Sequence, residues 1–264
     1  MVESIWRKGK LFGFMLLAGI LLMAKPALAD SYYPYEIQGY DVTVKVGKDN
    51  VYHVTERLQV NFNQARHGIY RDIPVINNVS REDGSTSRIQ ARVTNIKTYG
   101  EKRTVGREGS YCRIQLGDKN KTLVGEHMYH ISYDYNMGKD VRKGEDEFYY
   151  NIIGTSWDTT IQNVTFHIMM PEDIDESKVG MAYGESGSTN NEGLQYTING
   201  KVMEGYVDSS IILNPGEAVT VRMVLPDGYY DQVKQRIWPA LISILLSLAA
   251  AGAAFLLWWK VGRD

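Results

Sequence analysis

Residues 237–259, IWPALISILLSLAAAGAAFLLWW, form an uncharged run of 23 residues, and no other feature restricts so strongly what this chain can fold into. Wound as a helix the run is about 34 Å long, enough to cross a hydrocarbon core of roughly 30 Å with some tilt. Trp238 at one end and Trp258 and Trp259 at the other occupy the depths where aromatic belts form. Lys234 and Arg236 precede the run, and Lys260 and Arg263 follow it, so charge alone does not orient it. A second run, residues 11–24, is only fourteen residues long; it follows Arg7, Lys8 and Lys10 and leads to Ala27-Leu28-Ala29. That arrangement predicts a signal peptide over 1–29, cleaved before Asp30. A cleaved leader places residues 30–236 outside the cell and 260–264 in the cytoplasm, around a single-pass span over 237–259. Such a tail is too short for a folded output module.

Both runs are local, because a mean hydropathy of -0.30 is too polar for a multi-spanning protein. The formal net charge of -2 is unevenly spread: residues 1–29 carry +3 and the last five +1, so the stretch between carries -6. A mildly acidic domain argues against nucleic acid as a partner. Cys112 is the single cysteine, so no disulfide framework is available and stability must come from the core. Cys112 reads as a small strand residue, since no activating His or metal partner lies nearby in sequence.

Between 35 and 225 the alternation of strands recurs. Val42, Val44 and Val46 share a parity, Gly47-Lys48-Asp49-Asn50 reads as a turn, and Tyr52, Val54, Leu58, Val60 and Phe62 share the next parity. Further period-two segments lie at 89–99, 111–116, 127–135, 161–170, 205–213 and 218–225, separated by Gly-, Asn- and Asp-bearing turns. About ten strands without crossover helices predict an all-β antiparallel β-sandwich, with a barrel as the alternative. The segment 184–193, GESGSTNNEG, reads as a flexible surface loop.

Five segments resemble the bacterial membrane proteins grouped as DUF2207: IQGYDVTVKV (37–46), VTERLQVNF (54–62), HGIYRDIP (67–74), GEHMYHISYDY (125–135) and DEFYYNIIGTSWDTTI (146–161). The resemblance implies an extracytoplasmic N-terminal β domain on a membrane anchor. This chain looks like a short member, since others commonly continue into a further membrane helix and a Gly-rich tail. The family brings no established activity and no catalytic residues.

Charges on apolar parities stand out. Glu56 is in register with Val54 and Leu58, and Arg71 with Ile69 and Ile73, so both point inward and are expected to pair in the core. Tyr149, Tyr150, Asn151 and Trp157 are a candidate binding surface, with a packed strand end as the competing reading. His127 and His130 lie three apart on a strand and face opposite ways, so they cannot share a metal. Asp118 and Asn120 read as a turn rather than a calcium loop, and the charged stretch 139–147 as a solvated tip. No nucleophile elbow, P-loop or dinucleotide fingerprint occurs. No catalytic, cofactor or metal residue is assigned. The reading is an envelope interaction module that meets a protein or glycan; the alternative is a glycan- or peptide-active hydrolase using Asp146, Glu147 and Asp158.

Overall fold

The computed structural model describes residues 33–80, 84, 86–140, 142, 144–233 and 238–262, so the expected signal peptide lies outside the described residues. The described chain is almost entirely extended. Its first hairpin joins β1 (Tyr35–Val46) to β2 (Val51–Arg66) through a turn in which Asn50 takes a left-handed φ of 57°. Then come β3 (Gly68–Pro74), β4 (Ile76–Ser80), β5 (Thr86–Gln90), β6 (Arg92–Thr98), β7 (Arg103–Glu108), β8 (Tyr111–Gly117), β9 (Leu123–Asn136) and β10 (Glu145–Ile153). β11 (Val164–Met169), β12 (Val179–Gly184), β13 (Leu194–Asn199), β14 (Val202–Val207) and β15 (Ala218–Pro226) complete the strands, and α1 (Trp238–Val261) follows.

Seven strands form the main sheet in the order β13-β14-β11-β1-β2-β9-β6, while β10-β15-β12, β3-β8-β7 and β4-β5 form smaller sheets. One apolar core joins them. Val42, Val44, Val54, Leu58 and Phe166 of the main sheet are fully buried, as are Phe148, Val219 and Val221 of the β10-β15-β12 sheet and Ile114 of β8. The rings of Tyr52 and Phe148 meet across the layers with centroids 5.1 Å apart. Strands with one apolar face hide it against one another, as the alternation requires.

Two particulars differ from the sequence reading and one, a bulge in β1, adds to it. β1 pairs with β11 in parallel, so the main sheet is mixed; alternation reports which face is buried and is silent on strand direction. The register of β1 and β2 shifts between Ile37 and Gly39, and burial changes from odd to even positions there, which brings Tyr40 inside. The segment 89–99 is split at Ala91 into β5 and β6, which belong to different sheets. A close approach also restricts sequence: a Cβ on Gly205 of β14 would collide with the ring of Phe166 on β11, its cross-strand partner.

α1 begins with Pro239 in its first turn, where a missing N–H costs nothing. Its segment Ile242–Val261 has a mean hydropathy of 2.0 and exposed side chains, and it is long and apolar enough to cross a membrane.

Candidate functional site

Two polar constellations flank the β10-β15-β12 sheet, one sealed and one open. The sealed one starts from Glu56 of β2 and Arg71 of β3, which are 0 % and 2 % exposed. Their contact is bidentate: Arg71 Nε donates to Glu56 Oε2 at 2.9 Å, and Nη2 to Oε1 at 2.8 Å. Two tyrosines complete the carboxylate's shell, Tyr40 donating to Oε2 at 2.8 Å and Tyr133 to Oε1 at 2.6 Å. Because the Tyr133 hydrogen is committed to Glu56, its oxygen accepts from Tyr150 at 2.9 Å. Arg71 Nη1 donates to the carbonyl of Asp72, and the guanidinium lies 5.7 Å from the Trp157 ring centroid.

Burial alone would raise the Glu56 carboxyl, but Arg71 and the donors Tyr133 and Tyr40 outweigh it and hold the group below the ordinary glutamate value. Burial likewise works against the Arg71 charge, and Glu56 reverses it, so the guanidinium stays protonated. Four donors saturate the carboxylate, which leaves it no lone pair directed at a substrate. Burial also drives the hydroxyls of Tyr40 and Tyr133 well above the ordinary phenol value, so neither ionises near neutrality.

The acids considered for hydrolysis are engaged as well. Asp146 accepts the N–H of Tyr230 at 2.9 Å, Glu147 is held by Arg222 at 2.5 Å and Arg142 at 3.2 Å, and Asp158 accepts from the Tyr35 hydroxyl at 2.6 Å. Asp146 and Glu147 are adjacent on β10 and project from opposite faces of it. Both are buried, so Asp146 and Glu147 do not belong to the solvated tip expected over 139–147, whereas Lys139 and Gly144 are exposed; Asp140 accepts the N–H groups of Arg142 and Glu147. Burial, together with those two neighbouring acids, raises the Asp140 carboxyl above its usual value. His127 pairs with Glu101 at 2.7 Å while His130 stacks on Tyr99 at 4.1 Å. Among the described residues, no group of three His, Cys, Asp or Glu is placed to hold a metal ion.

The open constellation is a groove of about 770 Å³ on the outer face of β10-β15-β12. Its floor is set by register: Tyr149 lies opposite Arg222, which lies opposite Gly180, and Asn151 lies opposite Thr220, which lies opposite Ala182. Directly opposed residues share a face, so aromatic, amide, hydroxyl and guanidinium groups stand beside a strip with almost no side chains. A Cβ on Gly180 would meet nothing within 4 Å. Asn77 and Asn78 of β4 stand on one side. The loop after β12 stands on another, braced by Ser188 Oγ donating to the Tyr183 carbonyl at 2.7 Å and by the Tyr183 N–H donating to the Asn190 carbonyl at 2.8 Å.

Tyr149 and Asn151 therefore line the groove, whereas Tyr150 and Trp157, 5 % and 3 % exposed, belong to the core beside Glu56 and Arg71. The parity of β10 separates them, since Tyr150 faces inward with Phe148 while Tyr149 and Asn151 face out. Sequence reasoning missed Asn77, Thr220, Arg222 and the small residues of β12. The alternation of Gly180, Ala182 and Gly184 on one parity was the available signal.

Residues 36–225 match the profile of the predicted membrane protein (DUF2207) N-terminal domain. The chain belongs to the DUF2207 family. No curated protein matches its sequence. Among solved structures, an M1 zinc metallopeptidase from Deinococcus radiodurans is similar with a TM-score of 0.36 and 11 % identity, over 71 % of this chain and 42 % of that one. Native leukotriene A4 hydrolase from Saccharomyces cerevisiae is similar with a TM-score of 0.35 and 7 % identity, over 76 % of this chain and 32 % of that one. The chain thus spans well under half of either structure, and likenesses this loose carry no argument about chemistry. The DUF2207 profile ends at residue 225, before α1 begins.

Proposed function

We propose that this DUF2207 protein is a binding module tethered outside the cell, with the groove over Tyr149, Asn151 and Arg222 as its recognition site. The observation that carries the reading is a contrast in saturation. Asn151, which lines the groove, accepts at Oδ1 from Thr220 Oγ1 at 3.0 Å, and that bond orients the amide without engaging its N–H groups. Arg222 spends Nε on Glu147. Convergent polar groups in a concave site of this size are what a ligand site requires. The acids, by contrast, are engaged within the protein, which favours binding over hydrolysis.

In this reading the signal peptide is removed at 29 and α1 crosses the membrane with the C-terminus in the cytoplasm. Val233 precedes α1 by five residues, so the domain is tethered within about 17 Å of the span. The ligand is therefore a component of the near-membrane envelope. A photocrosslinking side chain at Ala182, in the full-length protein in native membranes, is expected to give a discrete adduct. The same group at Thr43, on the main sheet away from the groove, is expected to give none. Equal labelling at both positions, or none at Ala182, would count against the reading, and digestion of the domain by protease added to intact cells tests its location.

A further inference from the structure

We infer that the groove takes a neutral, hydroxyl-rich glycan chain, a step that rests on the reading of this groove as the recognition site. Charge is the first argument. Among the described residues, the charged ones lining it are Glu185 and Arg222, which balance, and Arg222 is already countered by Glu147. A site for phosphate or carboxylate would gather uncompensated cations, and an acidic ligand gains nothing here.

The donor set is the second argument. Asn77, Asn78 and Asn151 present amides, each both donor and acceptor, and Thr220 stands beside Asn151. Sugar hydroxyls also donate and accept at once, so amides satisfy them without a charge. The phenol ring of Tyr149, beside the bare strip of Gly180 and Ala182, offers an apolar surface for the C–H face of a pyranose.

An extended peptide is the main competitor, because β12, whose small residues line the groove, is one of the two edge strands of its sheet and an edge can accept an added strand. That edge is largely closed. The outward backbone groups of β12 belong to Val179, Met181 and Tyr183, since the N–H and carbonyl of Tyr183 are taken by its own loop. The N–H of Val179 goes to the Glu176 carbonyl. A peptide would find the groups of Met181 and the carbonyl of Val179, too few for a ladder. A glycan needs no ladder, and a volume of about 770 Å³ admits several sugar units.

The test uses the full-length protein in detergent, titrated calorimetrically with chitotetraose, cellotetraose and maltotetraose, with an uncharged decapeptide as a comparison. Gly180→Phe is the blocking variant, because its ring would enter open space above the floor and leave the core untouched. Saturable binding of at least one tetrasaccharide, weakened tenfold or more by Gly180→Phe and by Asn151→Ala with unchanged thermal unfolding, is the expected result. Binding of the decapeptide alone, abolished by Gly180→Phe, would overturn the glycan assignment and keep the groove as the recognition site. Tetrasaccharide binding indifferent to Gly180→Phe would overturn the assignment of the ligand to this groove. No binding of any probe would overturn the glycan assignment, and the crosslink at Ala182 then decides separately whether the groove binds anything.

Discussion

The two polar constellations are built from similar residue types and lie on opposite faces of one small sheet, yet they differ in a single respect. Around Glu56 the carboxylate is saturated, with four donors for its two oxygens. Around Asn151 and Arg222 the polar groups are oriented by one protein bond each and then face open space. Saturation marks a group that holds the fold together; incomplete saturation at the wall of a cavity marks a group held ready for a partner.

If that contrast is right, the largest effect falls on the sealed side. Arg71→Met leaves a buried carboxylate without its cation and should cost about 3–5 kcal/mol in chemical denaturation. Replacing both members, as Glu56→Leu with Arg71→Met, should recover much of that loss, and equal destabilisation by the single and double variants would break the comparison.

Glycines sharpen it next. Gly205→Ala must displace the Phe166 ring and should cost about 1–3 kcal/mol, whereas Gly180→Ala, facing open space, should leave the denaturation midpoint unchanged. Tyr133→Phe removes one charge-assisted donor and should cost about 1.5–3 kcal/mol at neutral pH. The pH dependence has a definite sign. The Glu56 carboxyl is depressed in the folded state, so its contribution is present above the unfolded glutamate value of about 4.3 and fades as pH falls through the folded one. Tyr133→Phe lessens that depression, so the acid-dependent loss of stability should be smaller and should end at a pH closer to 4.3, which fluorescence-monitored acid titration would register. The smallest effect belongs to the open side: Asn151→Ala should shift stability by less than about 0.5 kcal/mol while impairing ligand binding.

Legibility followed the same division. The inward pointing of Glu56 and Arg71 was readable because both sit on strands whose neighbours alternate cleanly, Val54 and Leu58 on one and Ile69 and Ile73 on the other. Period-two alternation assigns a face residue by residue. Tyr40, Tyr133 and Tyr150 were not readable as their partners, because they come from three further strands and a bulge at Gly39 resets the parity before Tyr40. Tyr149, Tyr150, Asn151 and Trp157 formed one group along the chain but divide between groove and core. The loop 184–193 read as loose polar chain, and its bracing through Ser188 and Asn190 emerges only once β12 is placed beside it.

Sequence by itself determined that this chain is strand-built and carries one membrane-length helix, because both follow from local periodicity and from the length of an uncharged run. It also determined which side chains face inward wherever a strand alternates without interruption. Only the tertiary structure decided that β11 lies parallel to β1, that Tyr40 and Tyr133 close around Glu56 with Tyr150 behind Tyr133, and that Asn77, Asn151 and Arg222 border one groove. Those facts depend on which strands become neighbours, and that choice is made by the packing of whole faces against one another, which no window along the chain contains.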